Sequence, residues 1–339
     1  MSFLLLCTVA IPAQAAETDW ANTGGSALGY SSVESVQIGG HLYEVLRGRD
    51  SNVYFRLDRN GEFHPLGGDQ ASRTSAPPRI VEFPPGRALV AVRGMDGEIY
   101  YSQVNNPTLN YWTPWTRIGA GAQAIGAPLL SVLSGRFLLI LAPNTNRRIV
   151  QNSLFYRNDA TPLDAFPYWT LDSHAQLATD AADIDSMGMV ALWDPTTGGP
   201  VSRAFVTGTN NHVFTVTTPA SGAAETIREV NGGGVCESAV AARRLGTQTT
   251  VVAPGTTGYA EQQRVLIACR GADGYVWETT STDGGLTFDG WRRPAGTPAP
   301  TYSSPSVSAT GNAFTLGIRW NGQASGAFPN DAIVTKRVQ

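Results

Sequence analysis

One local pattern recurs along this chain and constrains its fold more than any other feature. A β-rich run leads into Arg-Gly-x-Asp-Gly/Ser, and an x-Val/Ile-aromatic segment follows. Three copies are clear: Arg47-Gly48-Arg49-Asp50-Ser51-Asn52-Val53-Tyr54, Arg93-Gly94-Met95-Asp96-Gly97-Glu98-Ile99-Tyr100 and Arg270-Gly271-Ala272-Asp273-Gly274-Tyr275-Val276-Trp277. A weaker copy, Thr207-Gly208-Thr209-Asn210-Asn211-His212-Val213-Phe214, carries Asn where Asp-Gly stood, and a degenerate one runs from Phe137 to Ile149 around Asn144-Thr145-Asn146. Gly, Asn and Asp tolerate the positive φ of a tight turn, and β-branched or aromatic residues flank it. Each copy therefore reads as a β-hairpin.

A second element follows each hairpin: an aromatic or apolar residue, a short spacer, then usually glycine. It occurs at Phe63-His64-Pro65-Leu66-Gly67, Trp115-Thr116-Arg117-Ile118-Gly119, Trp169-Thr170-Leu171, Ile227-Arg228-Glu229-Val230 and Trp291-Arg292-Arg293-Pro294. These read as outer strands. Ser/Ala/Pro-containing connections follow, as at Ser75-Ala76-Pro77, Gly126-Ala127-Pro128 and Ser303-Ser304-Pro305, before an apolar strand opens the next unit. Units of about four strands, each burying its faces only against its neighbours, specify a β-propeller. Arg47 and Arg93 are 46 residues apart, whereas Thr207 and Arg270 are 63 apart, which predicts a long loop over Gly246 to Gly258. Trp20-Ala21-Asn22-Thr23-Gly24-Gly25, with Ser31-Ser32-Val33 behind it, repeats the outer element without a preceding hairpin. The tail from Phe314 to Val338 has strands without an outer element after them. Pairing the N-terminal strand with the C-terminal blade closes the ring without a sheet edge. That arrangement gives six blades; the alternative is seven, with one long unit divided in two.

Composition agrees with an all-β chain. Of 339 residues, 42% are hydrophobic and 15% charged, and 37 glycines with 21 prolines suit many short strands joined by turns. The net charge of -3 lacks the basic excess that a phosphate backbone requires, so nucleic acid and anionic membrane surfaces are not expected partners. The apolar run Phe3 to Ile11, followed by Pro12-Ala13-Gln14-Ala15-Ala16, reads as a signal peptide over residues 1–16. Residues 17–339 then form one exported propeller domain, with no membrane insertion because the run is shorter than a spanning helix. Cys7 is discarded with the signal. Cys236 and Cys269 remain as an even pair in an oxidising compartment, which predicts a disulfide. The four histidines stand singly, so neither a metal site nor a cofactor is expected.

The segment Ser281-Thr282-Asp283-Gly284-Gly285-Leu286-Thr287-Phe288 resembles an Asp-box, the turn found in sialidases and related propellers, where Asp and Ser stabilise the turn through backbone hydrogen bonds. The sialidase Arg-Ile-Pro motif is broken here, because Val81 follows Arg79-Ile80. Asp183 and Asp185, at i and i+2, would share a strand face, which keeps a glycosidase as an alternative. No nucleophile elbow, P-loop or dinucleotide fingerprint occurs in a suitable context, and Gly232-Gly233-Gly234 reads as a loop.

The aromatics Tyr100, Tyr101, Tyr111, Trp112, Trp115, Trp277, Trp291 and Tyr302 gather near blade exits and inter-blade links. Exposed rings there can stack on sugar faces while Arg and Asp bind hydroxyls. Tyr111-Trp112 sits in an Asn105 to Pro114 insert that reads as an exposed loop. The hairpin and outer-strand motifs together resemble the bacterial propeller lectins of the Photorhabdus fucose-binding type and, more loosely, tachylectin-like and tectonin propellers. The resemblance implies a multivalent lectin for fucose-class or methylated sugars with sites between blades. The expected function is carbohydrate binding rather than catalysis, with glycans or glycoconjugates as partners; the alternatives are a glycosidase and a protein-binding scaffold. The expected ligand residues are Arg93, Asp96, Tyr111, Trp112, Arg270, Asp273, Trp277 and Tyr302.

Overall fold

The computed structural model describes residues 21–22, 31, 33–59, 62–66, 73–106, 111–134, 136–146, 149–157, 163–171, 188–194, 199–208, 210–219, 226–230, 236–238, 240–245, 264–296, 300–301, 303–310, 313–319 and 333–338. Among them every regular element is a β-strand. The first element among the described residues is β1 (Ala21–Asn22). Sheet I follows as β2 (Glu34–Ile38), β3 (His41–Arg47), β4 (Val53–Leu57) and β5 (His64–Pro65). Sheet II is β6 (Arg79–Glu82), β7 (Ala88–Arg93), β8 (Ile99–Asn106), β9 (Tyr111–Trp112) and β10 (Thr116–Arg117). Sheet III is β11 (Leu129–Ser134), β12 (Phe137–Pro143), β13 (Ile149–Phe155), β14 (Asp164–Ala165) and β15 (Thr170–Leu171). Sheet IV is β16 (Gly188–Asp194), β17 (Gly199–Thr207), β18 (Val213–Pro219) and β19 (Thr226–Glu229). Sheet V is β20 (Ala241–Arg244), β21 (Val265–Arg270) and β22 (Val276–Ser281); sheet VI is β23 (Ser306–Thr310), β24 (Ala313–Arg319) and β25 (Ile333–Val338). All pairings within the sheets are antiparallel, and β1 joins sheet VI against β25 with Ala21 opposite Thr335 and Asn22 opposite Val334.

The sequence pattern explains why the sheets stack face to face. Ala88-Leu89-Val90-Ala91-Val92 is an unbroken buried run rather than an alternating one. Alternate side chains of a strand point to opposite faces, so Val90 and Val92 pack with Val45 and Phe55 of sheet I. Leu89 and Ala91 pack with Leu138 and Ile140 of sheet III. In sheet V, Ala242 and Ile267 face Phe205 of sheet IV, and Ala241 and Leu266 face Phe314 of sheet VI. Each fully buried aliphatic side chain contributes roughly 2 kcal/mol of transfer free energy, so the stability of one sheet is inseparable from that of its neighbours.

The first strands are neighbours in sequence order: β2 beside β6, then β11, β16, β20 and β23, with β23 in turn against β2. The links between sheets are fixed by a repeated pair of hydrogen bonds. Thr74 donates its N–H to Ser51 of the preceding hairpin at 2.8 Å, and Ser75 donates to the Arg93 carbonyl of the next at 3.1 Å. Ala124 and Ile125 repeat this with Gly97 and Pro143, and Cys236 and Glu237 with Asn211 and Arg270. Cys236 is bonded to Cys269 as a disulfide, which ties this link to β21.

Two local expectations need correction. Asn105 to Pro114 is not a plain loop: β8 extends to Asn106 and β9 pairs with it, so the sheet itself is lengthened. In sheet V the outer element is a single bridge between Glu278 and Arg292 rather than a strand; two residues on, where the ladder would next need an N–H, stands Pro294, which has none. Residues 1–16, Trp20, Asp183, Asp185, Gly232 to Gly234, Gly246 to Gly258 and Tyr302 lie outside the described residues.

Candidate functional site

The hairpin motif is an internally satisfied turn. In sheet II, Asp96 Oδ1 accepts the Glu98 N–H at 3.0 Å and Oδ2 accepts the Tyr100 hydroxyl at 2.8 Å. Asp50 does the same with Asn52 at 3.0 Å and Tyr54 at 2.8 Å. Asp273 takes the Tyr275 N–H at 3.0 Å and Trp277 Nε1 at 3.2 Å. Burial alone would raise the Asp273 pKa, but the donors Tyr275 and Trp277 and the Arg293 guanidinium outweigh it and hold the carboxyl below its usual range. The Tyr100 phenol is pushed up, chiefly by its hydrogen bond to Asp96 and then by burial. Asp96 and Asp273 therefore have a role in the scaffold before any ligand arrives.

The two arginines at these hairpins differ. Arg93 Nε donates to the Ala124 carbonyl at 2.6 Å, in the link to sheet III. Arg270, at the same register, keeps a buried Nε without a partner among the described residues. Arg270, Asp273 and Trp277 share one hairpin, where Arg293 lies over the rings of Tyr275 and Trp277 at 4.1 and 5.2 Å.

Trp112 does not join Arg93 and Asp96. Arg93 pairs with Ile99 at one end of β8, whereas Tyr111 pairs with Asn106 at the other, about 23 Å away at the rise of a strand. Nor is Trp112 an exposed ring. It is 9% exposed and meets Phe55 of sheet I edge-on at 5.1 Å, inside the core between the two sheets. The apolar face of Phe55 and the alternation of β9 place one of the two adjacent aromatics inward and the other outward. Tyr111, 65% exposed, is the outward one.

A more complete surface lies along the outer edge of sheet III, where its backbone meets the link from sheet II. Phe166 and Tyr168 are 53% and 68% exposed, yet the backbone that carries them is held from several sides. Buried Asn152 accepts the Phe166 N–H at 3.2 Å and donates through Nδ2 to the Phe166 carbonyl at 3.1 Å. Ala120 donates to the Pro167 carbonyl at 2.9 Å, and Trp169 Nε1 bonds the Ile118 carbonyl at 2.6 Å. A Cβ at Gly119 would sit 2.6 Å from Asn152 Nδ2 and 2.8 Å from the Phe166 carbonyl, so only glycine lets the two strands approach. Phe166 is backed edge-on by Phe155 at 5.4 Å, and Phe155 by Phe137 at 4.9 Å. Beside it, exposed Asp164 and Arg157 form a 2.7 Å ion pair. This shelf of two presented rings with adjacent charged groups was not among the expected ligand residues. The dense Phe166-Pro167-Tyr168-Trp169 run is its sequence signal, but only Trp169 fits the repeat, so the repeat does not single out the other two rings.

No family profile matches the chain, and no curated protein matches it. Solved structures do. The SapL1 lectin in complex with α-methyl fucoside superposes with a TM-score of 0.59 at 11% identity, over 94% of this chain and 96% of the lectin. The Aleuria aurantia fungal lectin, described as a six-bladed β-propeller with a novel fucose recognition mode, gives 0.52 at 10% identity, over 88% and 95%. A Dyadobacter fermentans protein of unknown function gives 0.64 at 11% identity, over 95% and 98%. The fold is a β-propeller. At such identity the likeness carries architecture alone, and function rests on the sites.

Proposed function

We propose that this propeller is an exported carbohydrate-binding protein with six blades, closed by β1 completing the last one, and that it takes fucose-class or methylated sugars on glycans. The observation that carries the reading is the Phe166–Tyr168 shelf. Exposed aromatic rings cost little to keep only if something covers them, and a rigid backbone removes the ordering entropy that binding would otherwise incur. The rings suit the C–H face of a deoxy or methylated sugar, and Asp164 and Arg157 suit its hydroxyls. The likeness to two fucose-binding lectins across nearly the whole chain supports the same reading. The Arg270–Trp277 hairpin of sheet V, whose indole packs on the sheet IV side, is a second candidate subsite, so multivalency follows if both are occupied. Export is supported by the N-terminal segment and by the Cys236–Cys269 disulfide.

The test is a glycan array on the full chain, followed by titration with α-methyl fucoside and methylated monosaccharides. A stacked ring contributes on the order of 1 kcal/mol, so Tyr168→Ala should weaken binding about fivefold and leave the unfolding temperature unchanged. Binding that is untouched by Tyr168→Ala, or no sugar bound at all, overturns the assignment.

A further inference from the structure

The first strands of four sheets bring a charge cluster to the axis about which they are arranged. Glu34 of β2 is 5% exposed and accepts hydrogen bonds from two guanidiniums, Arg79 of β6 and Arg243 of β20. Arg243 spans the interior: its Nε donates to the Val307 carbonyl of β23 at 3.1 Å, and Nη2 donates to the Ile80 carbonyl of β6 at 3.1 Å and to Glu34 at 3.3 Å. Two cations on one carboxylate leave an excess of one positive charge. Among the described residues, the others around the adjoining pocket are Ile80, Val81, Leu129, Leu130, Ala241, Ala242 and Val307, none of which carries a charge to neutralise it. Arg79 Nε is buried without a partner among the described residues. The Arg243 pKa is lowered mainly by burial, with Glu34 opposing and Arg79 adding to the fall. A desolvated surplus charge of this kind is costly unless it is paired.

We propose that the axial pocket binds one small monovalent anion of chloride or formate size, which completes the Arg79–Glu34–Arg243 cluster. Size follows from the space, which holds roughly two water-sized groups, and is too small for a sulfate with its hydration shell or a sugar acid. Charge follows from the surplus of one. Placement follows from Arg79 and Arg243, both of which line the pocket while Glu34 holds each through one terminal nitrogen of its fork. The site is separate from the surface clefts between blades, so it acts on the integrity of the ring rather than on glycan capture.

The experiment is thermal unfolding of the full chain at constant ionic strength, with gluconate replaced stepwise by chloride, bromide or formate. A saturable rise in midpoint is expected with each of the three small anions. Arg79→Gln removes the surplus charge and should weaken the anion dependence at least tenfold; Glu34→Gln raises the surplus and should strengthen it. Bromide anomalous diffraction from wild-type crystals provides a readout that requires no variant, and a peak between Arg79 and Arg243 is expected. Equal midpoints in gluconate and chloride, an anion response unchanged in Arg79→Gln, or no bromide peak at the axis each overturns the proposal.

Discussion

Trp112→Ala is the substitution that most directly tests the packing between sheets I and II. Trp112 retains 9% of its exposure, meets Phe55 edge-on at 5.1 Å, and belongs to the cluster that includes Val45, Val90 and Val104. Truncating a buried indole to a methyl loses its transfer free energy and leaves a cavity lined by both sheets, a cost of about 3 to 5 kcal/mol. Unfolding entropy near 2 cal/mol/K per residue, summed over a chain of this size, converts 4 kcal/mol into a fall of about 6 °C in midpoint. Calorimetry reads that fall directly. Crossing it with Phe55→Ala should return a coupling of about 0.5 to 1.5 kcal/mol, the value of an edge-to-face pair beyond its buried area. Tyr111→Ala is the comparison: it removes an outward ring and should shift the midpoint by less than about 1 °C. If Trp112→Ala melts with the wild type, or if Tyr111→Ala is the damaging change, the inward and outward assignments on β9 are reversed.

Two further outcomes are expected. Gly94→Ala places a methyl 2.5 Å from Asp96 Oδ1 and 2.8 Å from Tyr100, so it should cost about 2 kcal/mol or more in urea denaturation, whereas Gly290→Ala meets nothing within 4 Å and should be near neutral. Acid should destabilise the fold only at low pH. The native carboxyls of Asp50, Asp273 and Asp283 lie below the ordinary 3.8, so their stabilisation is complete above that value and is lost as pH falls through the native ones. A urea midpoint unchanged between pH 6 and pH 2.5 contradicts this.

Sequence made the scaffold legible because each blade repeats one chemical device. The hairpins at Arg47, Arg93, Thr207 and Arg270 all form where the motif placed them, and so do the outer strands after Phe63 and Trp115. The sites were harder to read for a physical reason. Arg93 and Asp96 read as available because they are charged turn residues, but Asp96 is taken by the Tyr100 hydroxyl within its own hairpin, and Arg93 by the Ala124 carbonyl, which arrives only when the next link folds over the turn. Trp112 looked like a loop residue because nothing in the repeat required it, and its partner Phe55 belongs to another sheet. The shelf at Phe166 depends on Asn152, whose counterparts Ser102 and Thr279 are likewise buried polar residues bonded to an outer backbone carbonyl, so that its side chain reads as part of the scaffold.

The departures from the motif follow the same physics as the copies. In sheets I, II, IV and V an aromatic ring six residues on lies over the glycine, and a Cβ there would approach Tyr54, Tyr100, Phe214 or Trp277 within 2.5 to 2.8 Å. Sheet III carries Val150 at that place, so no ring covers the turn. Its counterpart of Gly94 is Asn144, which makes the same kind of bridge to the preceding link through Ala124. Glycine is thus tied to the ring rather than to the turn. The acid is tied to the ring's donor: Asp50, Asp96 and Asp273 each accept from a Tyr hydroxyl or a Trp Nε1. Phe214 has no such donor, and the turn residue beside it is the neutral Asn210, which still accepts the His212 N–H at 3.0 Å. The degenerate hairpins are therefore complete turns lacking one specific contact, and their loss of Asp marks where a ring donor is missing rather than where a ligand site has decayed.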